Sequence, residues 1–130
     1  MNASQAASAY HHVGVQSGVT DASPHQLITM LLDGALSRIS SAKGAMARGE
    51  IALQGGLIGK AIGIIDGMRA SLDMDRGGDV ATNLRDLYDY MERRLLEGGA
   101  KADPDALDEV THLLKEIKAG WDGIPAEHRN

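Results

Sequence analysis

Metal and acid–base chemistry in a chain of 130 residues without cysteine would fall to its five histidines and eighteen carboxylates. Glu109-x-x-His112 has the spacing used by di-iron helix bundles, in which a Glu and a His three residues apart project onto a metal. Such a site needs two pairs and two further inward Glu residues, whereas this chain carries one pair. On a helical wheel Glu109 and His112 also point away from the apolar stripe of Leu107, Val110, Leu114, Ile117 and Trp121. Asp73, Asp75 and Gly78 imitate the start of a calcium loop, but the position of its bidentate Glu is occupied by Leu84. His11 and His12 lie in a polar segment with no framework to fix a metal geometry, and His25 and His128 read as ordinary polar residues.

There is no glycine-rich phosphate loop after a strand, and no Ser or Thr with a nearby His and carboxylate in a recognisable motif. Asp86, Asp89, Glu92 and Arg93 read as a solvated face whose ion pairs are worth a few tenths of a kcal/mol each. Without Cys there is no thiolate, disulfide framework or Cys-based zinc site, which fits the cytosol. The expectation is a protein that is not an enzyme, with no cofactor and no metal.

The elements that carry these residues are helices. Apolar residues make up 43% of the chain but aromatics only 3%, with no Phe, so Leu, Ile, Met and Ala must fill the core. That suits helix packing better than a sheet, where β-branched and aromatic residues are enriched. Ser23-Pro24-His25-Gln26 combines an N-cap, a first-turn proline and a capping box. Ile28, Leu31, Leu32, Ala35, Ile39, Ala42 and Met46 then share one face until Gly49. A second helix begins between Glu50 and Gly56 and ends near Leu72, and Asp73 to Gly78 reads as a turn. Asp79 is expected to cap a third helix with Val80, Ala81, Leu84, Leu87, Tyr88, Met91 and Leu95 inward, Tyr90 about 60° off that face, and Gly98-Gly99 as its end. Asp103-Pro104 opens a fourth, which Gly123 and Pro125 stop. The expected fold is all-α: an antiparallel four-helix bundle over residues 23–125, after an extended N-terminal arm (1–22) and before a polar tail (126–130).

A net charge of −5 with scattered basic residues argues against nucleic acid as a partner. The N-terminus lacks the basic start and apolar run of a secretory signal, and no stretch approaches 18 consecutive apolar residues, so no membrane insertion is expected.

The second helix organises the functional reading. Leu57, Ile58, Ala61, Ile62, Ile64, Ile65, Met68 and Leu72 cover an arc of roughly 160°, against about 100° for an ordinary core-facing helix. A flank near Leu57, Ile64 and Met68 is therefore expected to stay open for another chain. The opposite side carries Gly59, Gly63 and Gly67, each costing about 1 kcal/mol of helix stability relative to Ala, and reads as a solvent face.

Taken in order, several segments resemble the flagellin export chaperone family, FliS. They are Tyr10-x-x-Val13-x-Val15, Ala22-Ser23-Pro24-x-x-Leu27-Ile28-x-Met30-Leu31, Asp33-Gly34-Ala35-Leu36, Ala42-Lys43 and Lys60-Ala61-Ile62-x-Ile64-Ile65. Leu72-Asp73, Asn83-Leu84-x-x-Leu87-Tyr88-Asp89-Tyr90-Met91 and Leu107-Asp108-Glu109-Val110 follow. The chain departs from the family pattern in having Leu32 where a Tyr usually precedes Asp-Gly, and in a longer stretch from Gln16 to Asp21.

The resemblance implies a cytoplasmic helical bundle that binds the C-terminal segment of flagellin, prevents premature polymerisation and assists its delivery to the flagellar secretion apparatus. It also implies an N-terminal arm that covers part of the binding surface when flagellin is absent. On this reading the partner-binding residues are Leu57, Ala61, Ile64 and Met68, then Leu87, Tyr88, Tyr90 and Met91, with Tyr10, Val13 and Val15 as the displaceable arm. Export-apparatus components or flagellar regulators are further candidate partners. The alternative is a structural bundle that self-associates through the same flank and has no client.

Overall fold

A computed structural model describes residues 22–128. Four helices run in order: α1 (Pro24–Ala47), α2 (Ile51–Ala70), α3 (Met74–Lys101) and α4 (Pro104–Asp122), followed by a 3-10 turn, Ala126–His128, within the expected polar tail. Each packs on its sequence neighbours, and α4 closes back on α1. The pairs His25 with Trp121 and Lys43 with Asp108 set α1 and α4 antiparallel, and Gln54 with Gly99 and Arg69 with Asp89 do the same for α2 and α3.

The two cap-and-proline starts form as their chemistry dictates. Ser23 Oγ accepts from the Gln26 backbone N–H at 3.1 Å while Gln26 Oε1 accepts from the Ser23 N–H at 2.8 Å. Losing such a cap costs about 1 kcal/mol. Asp103 accepts from the Asp105 N–H at 3.0 Å, with Pro104 opening α4. Leu32, Ile39, Ile65, Met68, Met91, Leu95, Leu107, Val110 and Leu114 are sealed in the centre, each contributing about 1.5–3 kcal/mol of burial. Leu32, at the family's usual Tyr position, is a filled core site with no exposure, so an apolar side chain belongs there.

The third helix differs from expectation at both ends. It starts at Met74 because Asp73, rather than Asp79, supplies the cap, accepting from the Arg76 N–H at 3.1 Å. The break falls at Gly78, whose φ of 52° and ψ of −130° only glycine adopts readily, so Met74 to Gly77 form a separate first turn. At the other end the helix continues through Gly98 and Gly99 to Lys101. Gly98 serves close approach instead of termination: a Cβ there would lie 2.8 Å from Ala106 Cβ and 2.9 Å from Leu107 Cδ1, which lets α4 turn tightly onto α3.

By length and mean composition α2 is apolar enough to cross a membrane, although polar residues and glycines interrupt its apolar run; here Ile58, Ala61, Ile65 and Met68 fill the bundle core. A Cβ at Gly55, Gly56, Gly59, Gly63 or Gly67 would meet nothing within 4 Å, so this ridge is a solvent face within the protomer.

Candidate partner-binding site

The expected open flank of α2 is corrected. Met68 is 1% exposed and Ala61 not at all, because α1 and α3 share the wide apolar arc between them. Leu57 and Ile64 are half-buried against the core, and Ile64 Cδ1 sits against Gly34 of α1. On α3, Met91 and Tyr88 are also interior. Contact with a second chain at Ala61, Met68, Tyr88 or Met91 thus requires the bundle to part or a cavity to reach them. Tyr90 is half-buried on the side facing α4, where its hydroxyl donates to Glu109 Oε1 at 2.7 Å, and Leu87, one turn earlier, is half-buried against the core. Tyr10, Val13 and Val15 lie outside the described residues.

What the structure brings together is one end of the bundle. Ile28 from the start of α1, Met68 near the end of α2, Ser71, Leu72 and Asp73 from the link to α3, Leu84 and Tyr88 from the first half of α3 to its middle, and Ile117 and Trp121 from the end of α4 enclose a cavity of about 200 Å³. Of the expected site residues, Met68 and Tyr88 meet here. The polar groups at its rim are already engaged: Ser71 Oγ donates to the Met68 carbonyl at 2.7 Å, and Asp73 caps α3. Burial pushes the Tyr88 phenol above the ordinary tyrosine value, so it stays neutral. An apolar, partly enclosed space of this size suits one bulky hydrophobic side chain rather than a charged ligand.

A shallower trough continues from it, about 390 Å³, sharing Leu72, Asp73 and Leu84 and adding Arg76, Gly77, Val80 and Ala81. Val80 is 68% exposed. The Gly78 break falls within this lining, between Gly77 and Val80. Ile28, Leu72, Ile117 and Trp121 read from sequence as core or helix-end residues. Nothing in an isolated helical pattern reveals that four helix ends leave a gap, and Trp121 reads as the last member of the apolar stripe of the fourth helix.

The apolar α2 edge forms a second exposed region, with Ile51 at 77% and Leu53 at 48% exposure. Glu109 is taken by Arg94 and Tyr90, His112 pairs with Glu116, and no metal-binding group of three occurs among the described residues. Asp73 is likewise used as a cap.

Residues 6–128 match the family model for the Flagellar protein FliS. The chain is similar to the Flagellar secretion chaperone FliSB of Pseudomonas aeruginosa, 51% identical over 124 residues, covering 95% of this chain and 98% of the relative. It is also similar to the Flagellar secretion chaperone FliS of Salmonella typhimurium, 48% identical over 117 residues (89% and 87%), and to that of Vibrio cholerae, 43% identical over 122 residues (94% and 90%). With a helical bundle of the expected architecture and a match along nearly its whole length, the chain belongs to the FliS family of flagellar proteins.

Proposed function

We propose that this protein is a cytoplasmic export chaperone, a binding module and not an enzyme. It holds the C-terminal segment of flagellin, prevents its premature polymerisation and assists its delivery to the flagellar secretion apparatus. The observation that carries the reading is the apolar end cavity with its trough, in a member of a family whose relatives are flagellar secretion chaperones. A client segment that is unstructured alone folds as an amphipathic helix along Val80 and Leu84 and inserts an apolar anchor between Tyr88 and Trp121. Burial at about 25 cal/mol per Å² offsets the cost of ordering it.

Residues 1–22 compete with the client for this surface, the role the family resemblance implies for the arm. It joins α1 at Ser23, beside the end where Ile28 lines the cavity, and the 13 residue-to-residue steps from Tyr10 to Ser23 can span up to about 45 Å when extended. Calorimetric titration with a flagellin C-terminal peptide tests both statements. Binding is expected for the full chain, tighter binding for a chain lacking residues 1–22, and weaker binding for Val80→Asp. No heat from either chain would overturn the reading.

Self-association without a client is the second reading, favoured by exposed Ile51 and Leu53. A tight dimer whose sedimentation is unchanged by the peptide would support it.

A further inference from the structure

Trp121, the only tryptophan of the chain, forms part of the cavity wall and is held there by one residue 96 positions away. The indole Nε1–H donates to the His25 carbonyl at 3.0 Å, and the His25 ring returns a bond from Nε2 to the Trp121 carbonyl at 2.9 Å. A carbonyl can only accept, so Nε2 carries the proton. The two rings stack with centroids 4.6 Å apart and planes 7° from parallel. His25 is 7% exposed, although it sits in the first turn of a helix where polar side chains usually face water.

Resting on the reading of the end cavity as the client's seat, we infer that His25 is a positioning residue for that cavity: it holds the Trp121 indole as a fixed wall against which the client's apolar side chain packs. The geometry separates its roles. The indole bond goes to a backbone carbonyl, so it survives any side chain at position 25 that keeps α1 intact. What a substitution at His25 removes is the returned bond and the stacking face. Without them the indole can pivot about a single hydrogen bond at the end of α4, where the chain turns away through Gly123 and Pro125. A wall that pivots must be immobilised when the client binds, and that ordering lowers affinity.

Acrylamide quenching of Trp121 fluorescence, compared between full-length wild type and full-length variants that all carry residues 1–22, reads this with no client present. His25→Ala is expected to raise the quenching constant about twofold or more and shift the emission to the red. His25→Gln, which keeps a donor, and His25→Phe, which keeps a stacking face, are expected to fall between. Titration with the flagellin C-terminal peptide is expected to show a loss of about five- to tenfold for His25→Ala, partly restored in His25→Gln. Quenching and affinity equal to wild type in the folded variants would overturn the inference. If His25→Ala does not fold, the Gln and Phe variants decide it by the same comparison. Wild-type protein that ignores the peptide while the quenching series behaves as expected would remove the client reading and leave His25 as the residue that fixes Trp121.

Discussion

Arg94 Nε lies 2.7 Å from Glu109 Oε1, tying the last third of α3 to the first turns of α4, and the same oxygen accepts from Tyr90. These bonds, from Arg94 first and then from Tyr90, hold the Glu109 carboxyl below the ordinary glutamate value. The folded carboxylate is therefore harder to protonate than the unfolded one. Its contribution to stability is complete above the ordinary glutamate value and disappears as pH falls through the depressed one. Thermal melts should show Glu109→Gln less stable than wild type near neutral pH, with the gap closing as the solution is acidified below the usual carboxylate range. A gap that persists in strong acid would mean that packing, not charge, accounts for the pair.

Ala102 ends α3 with φ 49° and ψ 48°, a left-handed conformation that costs a residue with a Cβ about 1 kcal/mol. The conformation is fixed by the Asp103 N–H donating to the Gly98 carbonyl at 2.9 Å. Ala102→Gly is expected to stabilise the protein by about 0.5–1 kcal/mol in denaturant titration, net of the freedom glycine gains in the unfolded chain.

Gly78 poses the opposite case. Its backbone lies where an L side chain is strained by about 1–3 kcal/mol, so Gly78→Ala is expected to destabilise by that amount or to straighten the start of α3. Straightening would displace Leu72 and Leu84 relative to each other, and peptide affinity should fall with it. Unchanged stability and affinity would show that the break is not needed.

Core and surface positions should separate cleanly. Met91 is fully enclosed, so Met91→Ala is expected to cost about 2–5 kcal/mol in chemical denaturation. Val80→Asp, at a position mostly in water, should leave stability within about 0.5 kcal/mol while weakening the peptide complex. If the two variants exchange these profiles, the cavity has been placed at the wrong end of the problem.

The helix starts were legible because capping is local: Ser23-Pro24 and Asp103-Pro104 each carry their own instruction within a few residues. Inward stripes were legible for the same reason, down to Leu107, Val110 and Leu114. In the sequence Gly78 reads as part of a turn, because a glycine pair marks a break without saying which side of it is helical. The site was harder. A wheel drawn for α2 gives the width of its apolar arc but not how α1 and α3 divide it, so Ala61 and Met68 read as available when they are enclosed. The cavity comes from the stagger of four helix ends, and the contact of His25 with Trp121 joins residues that no periodicity connects.

The open glycine ridge of α2 bears on how the molecule breathes. Gly55, Gly59, Gly63 and Gly67 recur every four residues with vacant space beyond each, in a helix whose first turn has no side-chain cap. Their amides are held by the helix's own hydrogen bonds, with no packing over them, so their protection depends on the contacts of the other face. In deuterium they should exchange ahead of the amides of α1 and α4, making the greasiest segment of the bundle also the quickest to open.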